Sequence, residues 1–272
     1  MPNLNYLRYR LTRPLKSWKN KYLKHITQKQ ARQDNLYLKA VEEISQYCHE
    51  PAETVERKYK LGPEQEKGFH IFNEQNNLNK ASVDDFYRNC SYYVYELPLW
   101  NAEKYRPGYL RLVTLPYLRR RHYARVMDFG AGSGDFCIEL AKNNLEVTYC
   151  DIGEQLSDFA RWRFQKRNLN VKMAKGIDGL RGEVYDCIFS FDAFEHIKDF
   201  AQTLQALAGH IAPGGSLVFS GAFSGKTLHL EENERYDNFK NLDRLMRDNG
   251  LTFKDKFAQF YFYKRANGCY NK

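Results

Sequence analysis

The chain has 272 residues, 43% hydrophobic and 15% aromatic, which supports a real core and excludes a disordered tail. Mean hydropathy is −0.70, and no stretch approaches the ~18 consecutive apolar residues of a membrane-spanning helix, so that class is excluded. The net charge of +9 belongs to one segment: residues 1–33 hold nine of the 42 Lys and Arg and no acid, leaving 33 basic against 33 acidic residues elsewhere.

Within that segment Leu4, Leu7, Leu11, Leu15, Trp18, Tyr22 and Ile26 recur in steps of three and four, the period of one helix face. Pro14 interrupts the pattern, so a helix is predicted from about Thr12–Pro14, with Thr12 as its cap. Three uses of a basic amphipathic helix compete. It can pack its apolar stripe on the domain, lie on an anionic membrane surface, or recruit an anionic substrate or nucleic acid. Residues 34–49 repeat the helical pattern with Leu36, Val41, Ile44 and Cys48, before Pro51 and Gly62-Pro63 punctuate the chain. Asn73 to Asn79 is polar and reads as a loop. Ser82-Val-Asp-Asp85 has the form of a capping box, which predicts a helix from there to about Trp100. Its aromatic residues (Tyr87, Tyr92, Tyr93, Tyr95, Trp100) suit either packing on a sheet edge or the wall of a pocket for a cation. A further helix over Leu110–Leu118 leads into Arg119-Arg120-Arg121. Residues 1–120 thus read as a mostly helical extension, basic over 1–33 and expected to cap a substrate site over 34–120.

At Ala124 the texture changes. Short apolar runs alternate with helical stretches: Arg125–Phe129, Leu145–Cys150, Val171–Ala174, Tyr185–Phe191 and Ser216–Ser220. Such alternation predicts a Rossmann-like α/β fold, a parallel sheet with helices on both faces, over residues 121–272. Leu251–Phe257 and Phe260–Lys264 alternate at period two with a short connection, which predicts an antiparallel hairpin closing the sheet. Of the six cysteines none forms a C-x-x-C pair or sits at metal-ligand spacing. Cys137, Cys150 and Cys187 fall in apolar runs and read as small buried thiols of a reducing compartment. The opening residues lack the apolar stretch of a secretory signal, and the cytoplasm is the expected location.

The chemistry concentrates where the first strand ends, in Val126-Met-Asp-Phe-Gly-Ala-Gly-Ser-Gly-Asp-Phe136. The glycines give G-x-G-x-G. A dinucleotide dehydrogenase needs a glycine where Asp135 stands, and a P-loop needs a Gly-Lys-Ser/Thr that is missing. Glycines at this edge let backbone turn sharply against a ligand. Asp151 ends the second strand, where a carboxylate can accept ribose hydroxyls.

Glycine turn and following acid, in α/β texture, resemble the class I S-adenosylmethionine-dependent methyltransferases over about residues 120–266. The matching elements are Asp128-Phe-Gly-Ala-Gly-Ser-Gly134, Asp151, Phe191-Asp-Ala-Phe-Glu-His196 and Ala212-Pro-Gly-Gly215, with the terminal hairpin. The resemblance implies a seven-stranded sheet and S-adenosyl-L-methionine as cofactor. It places the methionine part on Asp128, Gly130, Ala131, Gly132, Ser133 and Gly134, and the ribose on Asp151 with Ile152 beside it. Adenine falls to Asp178, in Gly176-Ile-Asp178 where the family often has Gly-Asp directly, and Phe191-Asp192 lines the ligand. Asp-Ala-Phe-Glu-His-Ile resembles the signature of members that methylate small molecules. The Asn/Asp-Pro-Pro loop of nucleic-acid amino-methylating members is absent from this sequence, which points away from nucleic acid.

The expected reaction is transfer of a methyl group to a small molecule, at oxygen before nitrogen or carbon, with a base to take the hydroxyl proton. His196 after the fourth strand and His229 after the fifth are the candidate bases, each weighed against a helix-start or loop role. Glu195 is read as orienting a neighbour or capping a helix. Rival readings are a methyltransferase acting on peptide, protein or lipid head group, and a scaffold that binds the cofactor or its product S-adenosylhomocysteine without turnover.

Overall fold

The computed structural model of the chain describes residues 4–61, 83–223 and 230–267, apart from the side chains of residues 4–11 and 14. Before the sheet come α1 (Leu4–Gln33), α2 (Leu36–Cys48), α3 (Ala52–Lys60), α4 (Val83–Asn89), α5 (Tyr93–Glu103) and α6 (Arg106–Arg121). Strands and helices then alternate through β1 (Arg125–Phe129), α7 (Asp135–Ala141), β2 (Glu146–Asp151), α8 (Glu154–Lys166), β3 (Val171–Lys175) and β4 (Tyr185–Phe191). The chain continues through α9 (Phe200–Gly209), β5 (Ile211–Ser220), α10 (Phe239–Asp248), β6 (Leu251–Phe257) and β7 (Phe260–Arg265).

The strands form one seven-stranded sheet in the order β3-β2-β1-β4-β5-β7-β6. β1 to β5 run parallel, and β7 pairs antiparallel with both β5 and β6. This is the predicted architecture. Alternate residues of each strand face opposite layers. Met127, Ile188 and Leu217 pack with α9 and α10, whereas Val126, Cys187, Phe189 and Val218 pack with α6 and α7. Both faces are covered, which is why the central strands read as continuous apolar runs. Cys137, Cys150 and Cys187 are buried in these layers, as expected. β1 pairs with β2 on one side and β4 on the other. The connections therefore diverge there and open a crevice at the carboxyl ends of β1 and β4. A third core gathers Ile44 of α2, Val55 of α3, Phe86 of α4 and Leu99 of α5 against Leu156 and Phe159 of α8.

Three sequence expectations are corrected. The first helix does not start at Thr12 but runs from Leu4 through Pro14. Proline removes one amide and one hydrogen bond, and a helix survives this where its flanking turns are held. Here Lys16 pairs with Asp255, the Tyr109 hydroxyl donates to Asn20, and Thr27 and Ala31 are buried. The helix predicted up to Trp100 is two, α4 and α5, separated at Cys90–Tyr92. The Asn89 side chain donates to the Asp85 carbonyl at 2.8 Å, competing with the helical ladder as short polar side chains do. Ser82, the cap read from sequence, and the polar loop over 73–79 lie outside the described residues. Finally, of the apolar stripe of α1, Leu15, Trp18 and Tyr22 are exposed rather than packed on the domain, so that one of the three competing uses does not hold for them. The inward face is built instead from Asn20, Leu23, Thr27 and Ala31.

Candidate active site

The glycine turn follows directly from β1. The Gly130 amide donates to the Cys150 carbonyl at 2.9 Å, so the turn is tied to β2 as it leaves the sheet. Gly130 and Gly134 have φ of +71° and +74°, a region side-chain-bearing residues seldom adopt. A Cβ on Gly130 would sit 2.5 Å from the Ala193 Cβ, and one on Gly134 would sit 2.7 Å from Phe164 Cζ. Strain and space both require glycine at these two positions. Asp151 holds the turn from the neighbouring strand, its Oδ2 accepting from the Gly132 amide and its Oδ1 from the Gly153 amide, each at 2.8 Å. Burial pushes the Asp151 carboxyl up, opposed by the amides of Gly153, Gly132 and Ile152. The Tyr149 hydroxyl donates to the Gly132 carbonyl at 2.8 Å. Arg163, buried in α8, donates to the Ser133 carbonyl and to Asp135, both at 2.7 Å, and to Glu43 of α2 at 3.1 Å.

In front of this turn lies a cavity of about 540 Å³, in the range of small-molecule sites. One wall is the turn itself and Asp128. Another is the loop after β4, from Phe191 and Asp192 to Glu195 and His196. A third is helical: Glu96, Leu97 and Trp100 of α5, with Arg106, Pro107 and Leu110 of α6. Arg106 spans two walls, donating to Asp192 Oδ2 at 2.5 Å while its guanidinium lies 5.2 Å from the Trp100 ring centroid. Asp192 has φ of +52°, a conformation that Asp tolerates better than most side chains, and it also accepts from the Ser220 hydroxyl at 2.7 Å.

Acid dominates this lining. Asp128 is 4% exposed, and burial pushes its carboxyl up to about 7, against the Cys137 thiol that donates to it at 3.6 Å. Asp151 adds to the rise and Arg106 opposes it. Glu195 is 3% exposed, and burial likewise pushes it up to about 7, with its own amide opposing and Asp192 reinforcing the rise. Its Oε1 accepts weakly from the Ala222 amide at 3.3 Å, whereas Oε2 has no hydrogen-bond partner among the described residues. A buried carboxyl oxygen without a donor favours the neutral form until a ligand supplies one. The Glu195 side chain caps no helix, capping being one of the two roles read from the sequence. Residues 194–196 form a single 3-10 turn without a side-chain cap. The Asn233 side chain steadies that turn by donating to the Ile197 carbonyl at 2.8 Å.

The cavity therefore brings together Asp128, Gly130, Ala131, Gly132, Ser133, Phe191, Asp192, Glu195 and His196 of the residues singled out from sequence. His196 also faces the Tyr87 ring, with centroids 5.6 Å apart. Gly134, Asp151 and Ile152 do not line this cavity, although the Asp151 carboxylate is bonded to the amide of Gly132, which does. Asp178 is exposed at the far end of the sheet, in the 3-10 turn after β3. His229 lies outside the described residues. Sequence reasoning missed Arg106, Glu96 and Arg163. Pro107 near the start of α6 marks that helix terminus, but no periodicity tells which charged residue there turns inward.

The methyltransferase domain family model matches residues 98–260. Ubiquinone biosynthesis O-methyltransferase of Saccharophagus degradans is 29% identical over 100 residues, covering 35% of this chain and 42% of the relative. Demethylmenaquinone methyltransferase of Deinococcus radiodurans is 34% identical over 102 residues, covering 35% of this chain and 41% of the relative. The matched stretch spans less than half the length of these curated relatives. Magnesium protoporphyrin IX methyltransferase from Synechocystis, solved with bound SAM, shares the fold with a TM-score of 0.50 at 17% identity, covering 70% of this chain and 98% of that one.

Proposed function

Because the chain belongs to the class I S-adenosylmethionine-dependent methyltransferase family, we propose that it transfers the cofactor's methyl group to a small-molecule acceptor, at oxygen rather than nitrogen or carbon. The residues present fit that cofactor. The glycine turn offers backbone without side chains along one cavity wall, and Asp128, Glu96 and the Trp100 face suit a ligand carrying ammonium and sulfonium charge. Asp151, already fixing the turn through two amides, keeps lone pairs for a diol. When bound, S-adenosylmethionine supplies an electrophilic methyl group.

The chain's own part is to position the acceptor and to take its proton. Leu97, Trp100 and Leu110 enclose the acceptor and exclude water, the role assigned to the helical region before the sheet. Holding an acceptor oxygen in line is worth several orders of magnitude in rate. Glu195 carries the proposal: its Oε2 is buried and without a donor, and it lies on the same cavity as the glycine turn. A hydroxyl donating to that oxygen supplies the missing bond, and a carboxyl titrating near 7 then receives the proton as the methyl leaves. His196 borders the acceptor side and positions it. The oxygen assignment rests on this base and on the similarity to ubiquinone biosynthesis O-methyltransferase.

The test incubates the full chain with methyl-labelled S-adenosylmethionine, a pool of phenols and catechols, and a peptide pool. Label is expected in the phenol fraction as a methyl ether. Label confined to peptide, or no turnover with any pool, overturns the reading. His229→Gln is expected to leave the rise of rate with pH unchanged. Loss of that rise there, with Glu195→Gln retaining it, transfers the base role to His229.

A further inference from the structure

Two faces of α1 do different work. At 100° per residue Asn20, Leu23, Thr27 and Ala31 fall on the side that meets the domain, and Leu15, Trp18 and Tyr22 fall on the opposite side. Those three are 76%, 70% and 53% exposed, the first two being the most exposed large hydrophobic side chains among the described residues. Trp18 and Tyr22 stack with centroids 5.8 Å apart and planes within 3°. The stripe thus forms a flat aromatic ridge whose apolar area gains nothing from the fold, and such contiguous exposure marks an interaction surface. Exposed Lys19 and Lys21 flank it, Lys29 continues the same face, and residues 1–33 contain no acid.

We propose that α1 docks the protein on an anionic lipid bilayer, with Leu15, Trp18 and Tyr22 in the headgroup region and the lysines on its phosphates. Charge complementarity and side-chain type select this occupant. Trp and Tyr place a ring in the apolar boundary and a polar tip in water, and Lys extends its amine past a buried stem. No helix among the described residues is long and apolar enough to cross a membrane, so the contact is peripheral. The helix is held firmly enough to transmit the docking: Lys16 pairs with Asp255 and donates to the Lys256 carbonyl at 3.2 Å. Lys19 lies 5.9 Å from the Phe257 ring centroid, next to the hairpin turn whose Gln259 rims the cavity. Docking through this face sets the cavity rim beside the membrane. The proposal stands without the methyltransferase reading, because it rests on α1 alone.

Flotation of the full chain with vesicles tests it, using one part phosphatidylserine to two parts phosphatidylcholine against phosphatidylcholine alone. Binding is expected to the anionic vesicles, weakening with salt. The combined Leu15→Ser, Trp18→Ser and Tyr22→Ser variant should bind at least about tenfold more weakly. The Lys21→Glu, Lys29→Glu variant should lose about tenfold or more. All substituted positions are exposed, so circular dichroism and S-adenosylhomocysteine affinity should match the wild type. Trp18 emission should shift to the blue on the vesicles, a signal absent in Trp18→Phe. Failure of the wild type to float, or equal flotation of the triple serine variant, overturns the proposal. So does tight retention on a heparin column by wild type and serine variant alike without flotation, which assigns the charge to a soluble polyanion.

Discussion

Glu195 and Asp128 are carboxyl groups that burial holds near neutrality, and each has a consequence in pH. For Glu195 as base, activity requires the ionised form, so kcat/KM is expected to rise with pH through about 7. Glu195→Gln should flatten that rise and lower kcat on the order of a hundredfold or more, while S-adenosylhomocysteine affinity stays close to wild type. Stability runs the other way. Both groups have folded pKa values above the usual carboxylate range, so their contribution is complete only below about pH 4 and is lost as pH rises from there through about 7. Thermal unfolding followed between about pH 5 and 8 should show Tm falling with pH, less steeply in Glu195→Gln, with the other burial-raised carboxyls, Asp128 and Asp151 among them, supplying what remains. A wild-type Tm that climbs over that window contradicts the burial argument. Arg163 is the structural counterpart. Its three buried bonds join the glycine turn, α7 and α2, and Arg163→Met takes the cation from Asp135 and leaves Glu43 with Arg167. Denaturant unfolding should register a loss of about 3 kcal/mol or more.

Elements that obey one period were legible in the sequence, and elements decided by a single competing bond were not. The strands are continuous apolar runs because helices cover both faces, and the glycine turn announces itself by composition. The break between α4 and α5 was hidden, because the Asn89 side-chain bond to the Asp85 carbonyl that accompanies it leaves no periodic signal in the sequence. The persistence of α1 through Pro14 was hidden too, since its anchors, Tyr109 and Asp255, lie far away in the chain. At the turn itself, Gly130→Ala combines a positive φ with a 2.5 Å approach to Ala193. Chemical denaturation should show about 2 kcal/mol lost or more, accompanied by weakened S-adenosylhomocysteine binding in calorimetry. A variant with wild-type stability would mean that the loop after β4 yields, and would remove the argument that the turn requires glycine there.

Across the whole molecule, the basic excess resides in one helix and the body is neutral. The sequence located that charge but left open which way the helix turns, because the apolar and domain-facing stripes overlap in a one-dimensional pattern. Only the packed structure separates Leu15, Trp18 and Tyr22 from Asn20, Leu23, Thr27 and Ala31. The candidate site divides in the same manner. Residues supplied by the strand ends of the α/β body were readable from motif and spacing, while Arg106 and Glu96 come from helices whose approach to the crevice is set by tertiary packing. Cofactor and acceptor then meet where these two sources face each other. The most direct measurement is a calorimetric titration of the full chain with S-adenosylhomocysteine, repeated with Asp151→Asn. Saturable one-to-one binding, weakened about tenfold or more in the variant through lost charge-assisted bonds, is the predicted result. No saturable heat with the wild-type chain would contradict the assignment of this crevice to the cofactor.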